Sequence, residues 1–196
     1  MCGRFSLDRF PTSILDALDL DIVGFKPRTQ VYPTNQVSVA FRPNCKNELT
    51  EMTWGWERPF SKRPLINARG AEAWEKRTWS KALRERRCII PASGFYEWNE
   101  NQPQGKRDRY RIDPVYDDGF AFGGLYEINS ETGEMFMCIL TTGPNKKMAK
   151  IHHRMPVILE TDEFDHWFTS DSRDEINFLM QPANEDWITL EKQAKG

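Results

Sequence analysis

Twelve glycines and twelve prolines, 24 of 196 residues, are spread along the chain without clustering. Proline breaks a helix interior, and neither residue suits the middle of a strand. A chain punctuated this often can build only short elements, and the spacing predicts many of them rather than a few long ones. No Pro/Gly/Ser stretch is long enough to act as a linker, and no segment repeats, so one domain is expected over residues 1–196. No apolar run approaches the roughly 18–20 residues that a bilayer demands. Hydrophobic residues make up 39% and aromatics 12% of the chain, enough for a packed core, which excludes a disordered or collagen-like polymer. Met1-Cys2-Gly3-Arg4-Phe5 is followed by no apolar stretch of the kind a secretory signal needs. Four scattered cysteines without a CxxC pair, and three histidines that all fall late in the chain, speak against a disulfide scaffold and a zinc site. The expectation is a soluble, intracellular chain with no membrane partner, no metal and no other cofactor.

Apolar periodicity predicts a helix over Thr12–Leu20, with Ile14, Leu15 and Leu18 on one face. Gln36–Phe41 alternates as a strand, and Leu49–Trp56 reads as its hairpin partner. The stripe Trp74, Thr78, Ala82 and Leu83 predicts one helix over Ala71–Arg87. Cys88–Pro91, Arg109–Ile112, Phe120–Leu125, Met135–Leu140 and Pro156–Leu159 read as short strands. Thr161–Thr169 and Ser172–Met180 read as helices opened by Thr161 and Ser172 caps. Strands in the middle and helices at the flanks predict an α+β class: a single β-rich domain with a largely antiparallel sheet or barrel-like core.

The net charge of -2 hides an uneven distribution. Arg58–Arg111 holds 14 Lys and Arg against 6 Asp and Glu, a local +8, whereas Glu160–Asp186 holds 9 acids against one base, a local -8. Such a chain presents either one basic face to a polyanion or two solvated faces of opposite sign. Several residues could carry chemistry. Removal of Met1 would make Cys2 a 1,2-aminothiol, its amine titrating near ~7.7–8.0 and its thiol near ~8.5, a pair suited to trapping aldehydes; the plain alternative is a fraying second residue. Glu97, within Gly94-Phe95-Tyr96-Glu97-Trp98, sits between aromatics that would desolvate it and suit it to proton transfer; it also reads as a strand-end acid. His152 could shuttle protons and Arg154 hold a phosphate, or both could lie on an exposed loop. Asn67 and Arg69, two residues apart, share one face of an extended segment and could grip a sugar-phosphate together. Trp54 and Trp56 offer aromatic faces for bases or for the core.

Taken in order, Met1-Cys2-Gly3-Arg4-Phe5, Trp54-Gly55-Trp56, Asn67-Ala68-Arg69 with Glu72, Arg87-Cys88-Ile89-Ile90-Pro91 with Gly94-Phe95-Tyr96-Glu97-Trp98, Gly124-Leu125-Tyr126-Glu127 and His152-His153-Arg154-Met155-Pro156 resemble the SRAP family, the SOS response-associated peptidases. The resemblance runs from residue 1 to about residue 168 and implies the family's β-rich α+β fold with a positively charged groove. It implies binding of abasic sites in single-stranded DNA and a covalent DNA–protein crosslink, a thiazolidine, through the amino-terminal cysteine. Cys2 matches that nucleophile, Asn67 the asparagine that positions the amine and the opened sugar, Glu97 the acid/base, and His152 the histidine that assists Schiff-base chemistry. Arg4 and Arg69 match basic positions near phosphates, and Trp54 the aromatic end of a strand lining the DNA groove; Arg154 is expected to contact DNA with them. A slow lyase side reaction follows from the same chemistry. The partner implied is abasic single-stranded DNA, the protein a monomer, in the cytoplasm of a bacterial or viral host or in a eukaryotic nucleus. Two other readings stand beside this one: a thiol autopeptidase that removes only its own Met1, and a noncatalytic single-strand DNA-binding module. The family's edge strand after Trp187 is expected to be short or missing here.

Overall fold

The structure is a computed structural model and describes residues 2–194. The first half of the chain forms β1 (Phe5–Leu7), α1 (Thr12–Leu18), β2 (Arg28–Val31), β3 (Gln36–Phe41), β4 (Glu48–Trp54), β5 (Trp56–Arg58), β6 (Ser61–Leu65), β7 (Asn67–Arg69), α2 (Gly70–Ala73) and α3 (Ser80–Glu85). The second half adds β8 (Arg87–Ala92), β9 (Gly94–Trp98), β10 (Arg109–Pro114), β11 (Phe120–Ile128), β12 (Met135–Thr142), β13 (Met155–Pro156), β14 (Ile158–Leu159), α4 (Phe164–Thr169), α5 (Arg173–Leu179) and β15 (Ile188–Lys192).

The pairings β12–β4–β3–β8–β11 return to β12, closing a five-stranded barrel in a single β-rich domain. Most pairings are antiparallel, as expected, but β12 runs parallel to both β4 and β7. A second sheet, in the order β15–β10–β9–β1–β2, shares the core. Barrel strands bury both faces. Along β8, Cys88, Ile90 and Ala92 enter one hydrophobic cluster and Ile89 the other; along β12, Met137 and Ile139 enter the first, Cys138 and Leu140 the second. That double burial is why these strands read as continuous apolar runs rather than alternations. Phe5, Trp54, Phe95 and Phe122 meet in the first cluster, with the Phe5 and Trp54 ring centroids 5.1 Å apart. Strand β11 crosses β8 so closely at Gly124 that a Cβ there would stand 2.5 Å from Ile90 Cδ1.

Several expectations need correction. The predicted helix over Ala71–Arg87 is two short helices, and Arg87 already belongs to β8. Trp74 and Trp79 are both buried in the second cluster, and Trp79 packs on Trp56 at 4.8 Å. Residues five apart on one helix diverge by about 140°, so a straight helix could not bury both rings, and the break between α2 and α3 lets it happen. The hairpin predicted over Leu49–Trp56 ends at Trp54. Gly55 turns the chain at φ +123°, and Trp56 opens the separate β5–β6 hairpin. The Pro156–Leu159 strand is split at Val157. The cap of the segment starting at Thr161 is Glu160, in a reciprocal capping box with Glu163, whereas Ser172 caps α5 as expected by accepting from the Glu175 N–H. The strand expected to be short or missing after Trp187 is present as β15, paired over five residues with β10. No helix among the described residues is long and apolar enough to cross a membrane.

Candidate active site

The amino-terminal segment runs beside β9. The Tyr96 N–H donates to the Arg4 carbonyl at 2.9 Å, and Phe5 stands opposite Phe95. This register brings Cys2 into the first hydrophobic cluster, fully buried, with its Sγ 3.8 Å from the Arg4 carbonyl. Burial, with the Glu97 charge adding to it, pushes the Cys2 thiol well above its ordinary range. Asn67 opens β7, which lies parallel against β12 with Asn67 opposite Ile139. From there its Nδ2 donates to the Cys2 carbonyl at 2.9 Å, while its buried Oδ1 has no hydrogen-bond partner.

Glu97 sits in β9 opposite Tyr110 and is buried. Burial pushes its carboxyl up to about 7, because the charged form has lost its water. His152 follows the turn at Met148–Lys150 and is fixed by its N–H donating to the Met148 carbonyl at 2.8 Å. Its Nε2 stands 3.6 Å from Glu97 Oε2 and 3.5 Å from Glu100 Oε2. Burial pushes the imidazole down to about 4, so it is neutral at pH 7. Cys2, Asn67, Glu97 and His152 are thus joined: Asn67 through the Cys2 carbonyl, Glu97 through His152, and Cys2 through the field of Glu97. A carboxyl titrating near neutrality beside a neutral imidazole is an acid–base pair.

The basic residues separate into two kinds. Arg69 is half exposed and paired with Glu72 at 3.0 Å. Hydrogen bonds from Lys76 and then Arg69 hold that carboxyl down to about 2. Arg4 and Arg154 are built into the fold. The Arg4 guanidinium lies between the Tyr32 and Trp98 rings, 4.5 and 4.9 Å from their centroids. Arg154 Nη2 donates to the Thr141 carbonyl and, at 3.0 Å, to Thr141 Oγ1. Trp54 is a correction to the expected groove-lining aromatic. It is fully buried, packed against Phe5 with the ring planes tilted by 59°, and its Nε1 donates to the Ile66 carbonyl at 2.9 Å, so it offers no face to a base. Trp56 is buried as well.

Sequence reasoning missed Glu100. It accepts from the His153 backbone N–H at 2.6 Å and lies 2.6–2.7 Å from His153 Nδ1. Burial alone would raise its carboxyl, but the His153 hydrogen bonds outweigh that and hold it below its ordinary range. Glu100, His152 and His153 also bring three metal-ligating atoms within 4.8 Å of one another. No local signal marks Glu100, because its hydrogen-bond partner His153 lies 53 residues away.

The family model described as SOS response associated peptidase (SRAP) matches residues 1–194. The abasic site processing protein YoqW of Bacillus subtilis is 34% identical over 200 residues, covering 95% of this chain and 89% of that protein. The abasic site processing protein YedK of Escherichia coli is 27% identical over 185 residues, covering 85% of this chain and 79% of its own. Among solved structures, a protein from Bacteroides thetaiotaomicron has the same fold, with a TM-score of 0.81 at 21% identity over 97% of this chain and 91% of that one.

Proposed function

The chain belongs to the SOS response associated peptidase family, and on that premise we propose that it processes abasic sites in single-stranded DNA by trapping them covalently on Cys2. The observation that carries this reading is the joining of Cys2, Asn67, Glu97 and His152 in one partly buried cluster. Met1 lies outside the described residues, and its removal leaves Cys2 with adjacent amine and thiol.

The chemistry begins with the amine. It adds to the C1′ aldehyde of the ring-opened sugar, and the carbinolamine loses water to give an imine. The thiol then adds across the C=N bond, sulfur to carbon and proton to nitrogen, so aminothiol and aldehyde become a thiazolidine and one water. The raised Cys2 thiol supports this order, because a protonated, desolvated thiol is a poor first nucleophile but still carries the proton that the imine nitrogen takes up. Neutral His152 accepts the proton released as the amine attacks, and Glu97, poised near neutrality, donates one to the departing water. The unpartnered Asn67 Oδ1 supplies an acceptor for the attacking amine. Ring closure ties up the aldehyde and so prevents β-elimination and strand breakage; the intermediate imine is where slow lyase activity would leak. Half-exposed Arg69 is the most available phosphate contact, and such contacts read little sequence.

The test is intact mass before and after incubation with an abasic single-stranded oligonucleotide. The expected product is the chain without Met1, plus the oligonucleotide, minus one water. Absence of an adduct from a chain that begins at Cys2, or an unchanged adduct in Cys2→Ala, overturns the reading. Equal affinity for intact and abasic strands with no adduct would instead identify a plain single-strand binder. Loss of Met1 in cells lacking methionine aminopeptidase, abolished by Glu97→Ala, would identify self-processing.

A further inference from the structure

We propose that Glu100, His152 and His153 form a binding site for a late first-row divalent metal ion, of which Zn2+ is the natural probe. Two imidazoles and a carboxylate are a donor set that such ions favour over Mg2+ or Ca2+. The spacing agrees. Ligands about 2.0–2.1 Å from a tetrahedral ion stand roughly 3.4 Å from each other, and His152 Nε2 is 3.5 Å from Glu100 Oε2. His153 Nδ1 lies 2.6 Å from Glu100 Oε1, a hydrogen-bond distance that a metal in place of the proton would open by less than about 1 Å.

The two loops carrying these donors are tied together. The Glu100 N–H donates to the Ile151 carbonyl at 2.9 Å, Asn101 Nδ2 donates to the Lys150 carbonyl at 3.0 Å, and the His153 N–H donates to Glu100 itself. Binding therefore orders little that is not already ordered. His152 Nδ1 is 3.0 Å from the Arg154 carbonyl and also accepts from the Arg154 N–H at 3.0 Å. An ion on Nε2 requires the tautomer that carries its proton on Nδ1 and donates it to the carbonyl, the outer-shell arrangement usual for metal-bound histidine. Side-chain exposure rises from 7% at His152 through 24% at Glu100 to 60% at His153, which gives the ion a path from solvent.

An ion on Nε2 occupies the lone pair that proton transfer requires, so occupancy would hold the adduct chemistry off until a chelator removes the metal. That consequence rests on the proposed abasic-site reading; the binding itself does not. The test is calorimetric titration of the untagged full chain with Zn2+, alongside Co2+ absorption and the variants His153→Ala and Glu100→Gln. One ion per chain is expected, with affinity falling at least about 10-fold in each folded variant, and with no thiolate-to-cobalt charge-transfer band. Adduct formation should be inhibited by Zn2+ in the parent chain and insensitive to it in His153→Ala. Unchanged Zn2+ affinity in His153→Ala, or a thiolate band that places the ion on cysteine, overturns the proposal. Zn2+ bound through His153 in a chain that never forms an adduct supports the metal site and sinks the abasic-site reading instead.

Discussion

Glu97 should cost the fold stability as pH rises from about 4.5 through 7, and Glu97→Gln should remove that cost. Burial raises its carboxyl from the ordinary 4.5 to about 7, so the folded state prefers the protonated form. For an acid raised in this direction, stability is fully present below 4.5 and is lost as pH rises through 7. A shift of about 2.5 units at about 1.36 kcal/mol each makes a total near 3 kcal/mol. Most of it, about 2–3 kcal/mol, falls between pH 5 and pH 8. His152 works in the opposite sense: its stability is present above 6.5 and is lost as pH falls through about 4. Comparing the parent chain with Glu97→Gln at each pH cancels that contribution to the extent that the two groups titrate independently. Urea unfolding from pH 5 to 8.5 is the assay. The variant should gain on the parent by about 2–3 kcal/mol across the range while losing adduct formation. A stability difference that stays flat with pH would refute the reasoning, because Glu97 would then titrate no differently folded and unfolded.

Cys2→Ser should abolish the denaturation-resistant adduct yet leave noncovalent strand affinity within about threefold, read by denaturing gel and by anisotropy, since phosphate contacts dominate affinity. Asn67→Ala removes the donor on the Cys2 carbonyl and should slow adduct formation about 10-fold, roughly the worth of one hydrogen bond, in single-turnover kinetics. Arg69→Ala should weaken strand binding uniformly across sequences and reduce the salt-dependence slope by about 0.7, one single-strand phosphate contact. Gly124→Ala should cost about 1–3 kcal/mol of stability, because its Cβ would meet Ile90 Cδ1 at 2.5 Å; thermal unfolding measures it.

The elements legible in the sequence are those whose burial leaves a pattern. Gln36–Phe41 appears with its predicted bounds, and β8, β11 and β12 contain the predicted runs within longer strands. Phe5–Leu7 and Asn67–Arg69 were invisible because three residues carry no period; they are strands only by virtue of β9 and β12 beside them. The Ala71–Arg87 helix misled because an apolar stripe does not reveal that Trp74 and Trp79 must reach one core from a separation of five. The site divides in the same way. Cys2, Asn67, Glu97 and His152 were picked out by ordered motifs, and the structure brings them together, but Trp54 kept its motif while lying in the core. Glu100 escaped because its significance is wholly tertiary.

The cluster draws on residues 2, 67, 97 and 152, and this sets a clock on synthesis. Elongation at about 5–20 residues per second puts roughly 8–30 s between the emergence of Cys2 and that of His152. Until then the pocket that buries the thiol has no fourth wall, and the amino-terminal segment is open to processing enzymes and to oxidants alike. On the proposed reading, removal of Met1 therefore takes place on the ribosome, within seconds, or behind a closed door.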